Sequence, residues 1–190
     1  MDPRLLLEFW LSDYARPLWF EKNAAFDAEI RHRFGGWIEP AAQGRFADWE
    51  RRPDTALALV VLLDQFPRNI HRESPRAYLH DAMVLTIAMR AIERGHDEAL
   101  PLDHRFFFYM PLEHSESLAD QRRAMALFQG WVEAHEGDPR RGKAEEAFRF
   151  VARHHEIIER FGRFPHRNRC LGRDSTPEEL AFLTEPMSSF

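Results

Sequence analysis

Residues 54–66 read Asp-Thr-Ala-Leu-Ala-Leu-Val-Val-Leu-Leu-Asp-Gln-Phe, and eight of them, Ala56 to Leu63, form an unbroken apolar run. A helix that is apolar on every side must lie in the centre of a protein, surrounded by other elements. Eight apolar residues could also be a buried strand, but Ala56, Ala58 and the leucines favour helix. The run is far short of the ~20 residues needed to span a bilayer, so a membrane protein is not expected.

The segments around this helix also have helical periodicity. Asp2-Pro3 opens a helix to about Ala15 with Leu6, Trp10 and Tyr14 on one face. Asn23 caps a second, with Phe26, Ile30 and Phe34 in register, and Gly35-Gly36 is expected to end it. A weaker third runs from about Pro40 to Arg51. Ser74-Pro75 starts a helix to Arg94 with the stripe Tyr78, Ala82, Leu85, Met89 and Ile92. Phe106 to Tyr109 form a short helix expected to stop before Pro111, and Ser115 is the expected cap of a helix to about His135. Arg140 to Phe161 is long, with His154 and His155 inside its apolar arc; Thr176-Pro177 opens a last short helix. No alternating run demands a strand. The expectation is an all-α protein, a compact irregular stack of about eight helices, with one domain over residues 1–186 and a flexible tail at 187–190.

Composition narrows the function classes. The 190 residues are 44% hydrophobic and 13% aromatic, enough for an interior packed around large rings. A net charge of −5 argues against nucleic acid as a partner. The lone Cys170 can form no intramolecular disulfide, and the apolar start is cut by Glu8 with no small-residue cleavage site, so a cytoplasmic location is expected. There is no G-x-S-x-G, P-loop, dinucleotide fingerprint, H-E-x-x-H or C-x-x-C, so no cofactor or metal is expected. The basic residues are 24 Arg against only Lys22 and Lys143, a bias that coding in a GC-rich genome explains.

The most informative pattern is internal. Phe66-Pro67-Arg68-Asn69 is followed by Arg72, Ser74 and Pro75; Phe164-Pro165-His166-Arg167-Asn168 is followed by Arg173, Ser175, Thr176 and Pro177. Capping explains the Ser/Thr-Pro ends, but not the repeated Arg-Asn. From Arg160 to Arg173 five Arg and one His occur with no acid, a density that requires carboxylates or a bound anion to neutralise it. Asp64, Glu116, Asp120 and Glu156 are candidate partners in a structural network. Asp64, on the most buried helix, must be paired, with Arg68 and Arg72 in reach. Cys170 has no identifiable general base and is not expected to be a catalytic thiol.

These motifs, with His114-Ser115-Glu116, Asp120-Gln121, Leu171-Gly172-Arg173 and Trp19-Phe20-Glu21-Lys22-Asn23, resemble an uncharacterised bacterial family catalogued as domain of unknown function 924. The string Phe161-Gly162-Arg163-Phe164-Pro165-His166-Arg167-Asn168 is long and specific. The resemblance covers the whole chain and implies a helical fold similar to tetratricopeptide-repeat hairpins, with no established activity. The strict 34-residue repeat signature is absent, which favours an irregular stack over a regular solenoid. Leu112-Glu113 stand before His114, a departure at an expected pocket rim.

Two readings follow. In the first, Asp64, Arg68, Asn69, Arg72, His114, Glu116, His154, Arg163, His166, Arg167, Asn168 and Arg173 bind a small anionic ligand, a phosphate or carboxylate. In the second, the chain is a protein-interaction module for a partner such as an acidic peptide, and the Arg-Asn motifs are a buried polar lock.

Overall fold

A computed structural model describes residues 1–190, with eight α-helices, short 3₁₀ turns and no strand. Its contacts divide the chain into two compact units, residues 1–72 with 76–101 and residues 73–75 with 102–190, where the sequence predicts one domain.

The first unit is built on the helix that the apolar run predicts. Helix α1 spans Pro3–Trp10, α2 Ala24–Ala42, α3 Pro53–Ile70 and α4 Asp81–Glu93. Helix α3 packs against α1, α2, α4 and the 3₁₀ turn Ala47–Arg51, so residues 56–67 are buried around its whole circumference. The rings of Phe9, Trp10, Phe26, Phe34 and Phe66 form one aromatic core, with Phe66 5.4 Å from Trp10 and 5.3 Å from Phe34.

Helix boundaries differ from the sequence expectation where tertiary burial overrides a local stop signal. Helix α2 runs through Gly35-Gly36 to Ala42, because Phe34, Ile38 and Ala41 continue its buried face. That burial outweighs about 1 kcal/mol per helical glycine. Helix α3 likewise passes Pro67, so the first Arg-Asn motif is helical and not a loop. Helix α1 ends at Trp10 instead of near Ala15, and Tyr14 is exposed. Helix α4 begins at Asp81 after a 3₁₀ turn at Pro75–Ala77, and its buried face is Val84, Ile87, Ala88 and Ala91. The expected stripe is thus off by about one residue.

The second unit contains α5 (Leu102–Glu113), α6 (Leu118–Ala134), α7 (Arg141–Phe161) and α8 (Pro177–Phe182). Helix α6 packs on both α5 and α7. Helix α5 continues past Pro111 to Glu113, with residues 107–113 all buried. The cap of α6 is Ser117; the expected cap, Ser115, accepts the Ser117 N–H and donates to Asp120 instead. Gly162 ends α7 in the left-handed region at φ 67°, where a side chain would be strained. The chain then forms the 3₁₀ turn Pro165–Arg167, and Phe164, Ile157, Ile158 and Phe182 close a small core. Thr176 and Glu179 form a complete capping box at α8. Beyond it the chain, expected as a flexible tail, buries Ser188 and lays the Phe190 ring on His154.

Truncation of Phe66 leaves a cavity between two rings that cannot collapse. Phe66→Ala is expected to lower unfolding free energy by about 3–5 kcal/mol in a urea titration followed by circular dichroism.

Candidate functional site

The repeated motifs lead to two networks, one inside each unit. In the first, the last turn of α3 presents Arg68 and Asn69, and the residues just after it Arg72, to acidic first turns of neighbouring helices. Arg68 makes a bidentate pair with Asp81 at the start of α4, both bonds 3.0 Å, and lies 3.1 Å from Asp64. Burial disfavours the charge on Arg68, but Asp64 and Asp81 outweigh it and hold the guanidinium above its ordinary value. The Gln65 amide donates to the second Asp64 oxygen at 2.5 Å. Asp27, in the first turn of α2, accepts from Asn69 at 2.9 Å and from Arg72 at 2.6 and 3.0 Å. Arg31 of α2 donates to the carbonyl of Ile70, the last residue of α3. Cation at a helix C-terminus and anion at an N-terminus is the arrangement that the helix dipoles favour.

In the second unit, two carboxylates do equivalent work. Glu116 accepts both Arg173 Nη1 and Nη2, at 2.7 and 2.9 Å, and the Phe164 backbone N–H at 2.9 Å. Burial raises the Glu116 pKa, but these donors outweigh it and hold the carboxyl below its ordinary value. Glu179 accepts Arg163 at 2.6 and 2.8 Å, the Asn168 amide at 3.3 Å and the Thr176 N–H at 2.7 Å. The Arg163 hydrogen bonds, aided by the Thr176 N–H, pull its pKa from 4.5 to about 2 against burial. Asn168 then links the two carboxylates, donating to Ser175 and accepting from Arg173.

The candidate site residues therefore separate into two kinds. Asp64, Arg68, Asn69, Arg72, Glu116, Arg163, Asn168 and Arg173 are engaged in networks closed by carboxylates of their own unit. Of the acids named as network partners, Asp64 and Glu116 are used; Asp120 accepts Ser115, and Glu156 pairs with Arg153. Sequence reasoning missed Asp27, Asp81, Glu113 and Glu179. Glu179 was open to discovery, since its place in the Thr-Pro-Glu-Glu capping signature puts it at the helix start. Asp27, 42 residues from Asn69, carries no such signal.

The remaining four, His114, His154, His166 and Arg167, gather in the second unit with Glu113. His154 Nδ1 lies 2.8 Å from the Phe150 carbonyl and 3.1 Å from Glu113 Oε1, both side chains buried. Its ring is 6.5 Å from His114 and 5.4 Å from Phe164. Arg167 is buried, donates to the His114 carbonyl at 3.0 Å and stacks over Phe164 at 4.3 Å. His166 lies 5.7 Å from Phe164. Burial holds the His154 pKa well below its ordinary value, and the charges of His114, Arg167 and His166 push it the same way. No group of three or more His, Cys, Asp or Glu is arranged to hold a metal ion. Cys170 donates to the Arg167 carbonyl at 3.2 Å.

This all-α architecture is that of a known family. Residues 6–187 match the bacterial proteins of unknown function termed DUF924, and the chain belongs to that family. It is similar to a solved protein of unknown function from Agrobacterium tumefaciens, at 40% identity and a TM-score of 0.82 over 96% of each chain. Comparison with curated proteins gives no match. No helix is long and apolar enough to cross a membrane.

Two outcomes test the networks. Asp64→Ala removes one of the two carboxylates facing Arg68 and the acceptor of the Gln65 amide, and is expected to cost about 1–3 kcal/mol in denaturant unfolding. Glu179 has a folded pKa depressed from 4.5 to about 2, so its stabilisation is complete above pH 4.5 and lost as pH falls towards 2. In Glu179→Gln the dependence of unfolding free energy on pH is expected to be flatter between those values.

Proposed function

We propose that the second unit binds a small anionic ligand, a phosphate or carboxylate, at His114, His154, His166 and Arg167. The observation that carries this reading is the gathering of three imidazoles and a buried guanidinium around one site, with Glu113 against the His154 Nδ1. A cluster of donors beside the apolar ring of Phe164 is a setting in which an anion's hydrogen bonds are strengthened by low local dielectric. Glu113 and the Phe150 carbonyl hold the His154 Nδ1–H and fix the ring, so the neutral imidazole orients the site while Arg167, His114 and His166 supply the donors to the anion. The reading takes the protein as cytoplasmic and the Arg163 and Arg173 pairs of the same unit as the site's frame.

The second reading, an interaction module of tetratricopeptide-like helices for an acidic peptide, is favoured by one observation. Four of the motif arginines are held by protein carboxylates, which is what a polar lock requires. In that case the motifs set the shape of each unit, and partner recognition lies elsewhere on the surface.

A thermal-shift series with inorganic phosphate, acetate and dicarboxylates separates the two. On the first reading, ligand at 100 times its dissociation constant stabilises the wild type by about 2.7 kcal/mol. The shift disappears in Arg167→Ala and His154→Ala while each variant still melts cooperatively. Absence of any shift, together with a large loss of melting temperature in Arg167→Ala, overturns the ligand reading in favour of the lock.

A further inference from the structure

We infer that the face of His154 covered by Phe190 is a stacking slot for a planar ring, so that the ligand is an aromatic anion and Phe190 its internal competitor. The inference rests on the anion site proposed above and names the class of molecule that it takes.

The slot has a floor and two walls. The Phe190 ring lies 3.8 Å from the His154 ring at an interplanar angle of 24°, a stacked contact. Phe150 meets it edge-on at 6.5 Å and 74°, and His166 at 5.9 Å and 78°. Stacked and edge-to-face contacts of this kind are what aromatic rings prefer, and they do not depend on the ring being phenylalanine. Burial disfavours the charged form of the His154 imidazole, so the floor is a flat ring face. The charge lies alongside: Phe164 stands edge-on to His154 at 5.4 Å and 76°, and the Arg167 guanidinium stacks on Phe164 at 4.3 Å. A ring in the slot thus has His154 beneath it and His166 at its edge, with the Arg167 guanidinium behind Phe164.

Phe190 is a loosely held occupant. It is 45% exposed, whereas the His154 beneath it is 5% exposed. Its segment is pinned by Ser188 Oγ donating to the Leu183 carbonyl at 3.2 Å and by Arg153 Nε donating to the Met187 carbonyl at 3.2 Å. The chain turns back towards α7 at Met187, whose φ of 54° lies in the left-handed region that a methionine resists.

The test is calorimetric titration of phenylacetate, acetate and inorganic phosphate into wild type, Phe190→Ala and Arg153→Ala. Arg153→Ala loosens the pin at Met187 without altering the slot, and so serves if Phe190→Ala is unsuitable. Phenylacetate is expected to bind roughly fivefold tighter to either variant, the factor that one aromatic contact represents, with acetate and phosphate unchanged. The His154 ring protons are expected to move downfield in Phe190→Ala as the stacked ring is removed. Unchanged phenylacetate affinity in both variants, with phosphate still bound through Arg167, overturns the slot and leaves the anion site standing. Failure of all three probes to bind the folded proteins overturns the anion site, and the slot with it.

Discussion

Helix α3 has no solvent face, and this constraint governs the first unit. Backbone polarity is satisfied within the helix, but Asp64, Gln65, Arg68 and Asn69 lie in its last turns, where water does not reach freely. Each must find its partner in the protein. The partners arrive as the acidic first turns of α2 and α4, through Asp27 and Asp81. Placing those helix starts against the end of α3 therefore satisfies buried charge and aligns helix dipoles in one step. The same residues that make α3 costly to bury thus specify which neighbours it can have.

The second unit meets a similar demand with different elements. Its Phe-Pro…Arg-Asn segment is a 3₁₀ turn and the loop after it, where the first motif is helix. In both units Asn and a later Arg are drawn to carboxylates, yet the acids come from unlike places: Asp27 from a helix start far upstream, Glu179 from one just downstream, and Glu116 from the loop before α6. The likeness of the two sequences is thus a likeness of polar chemistry more than of backbone. It is the kind of trace that a duplicated helical unit would leave, and also the kind that two similar burial problems would produce.

His114, His154, His166 and Arg167 differ from the other candidates in what surrounds them. The arginines of the networks meet carboxylates in bidentate geometry and serve as braces. Arg167 instead meets a backbone carbonyl and an aromatic face, beside imidazoles set among rings. Polar groups held on an apolar floor are the composition of binding pockets in general. That contrast, rather than the number of basic residues, separates the candidate site from its frame.

The apolar run 56–63, the Asn23, Thr176 and Pro-led helix starts, and the absence of alternating segments determine an all-α protein with a buried central helix. These features are local, and they depend on burial and capping that any tertiary arrangement would have to honour. The specific string from Phe161 to Asn168 likewise determines the family. Sequence also named Arg68, with Arg72, as a candidate partner of Asp64, and the continuation of α3 past Pro67 sets Arg68 one turn from it. What it could not decide were the helix ends at Gly35, Pro67 and Pro111, where burial across the fold outweighs a local stop signal. Nor could it supply Asp27 for Asn69 or Phe190 for His154, which lie 42 and 36 residues apart and meet only when helices pack. Whether an arginine is a brace or a ligand is set by the carboxylate it faces, and that neighbour is chosen by tertiary structure alone.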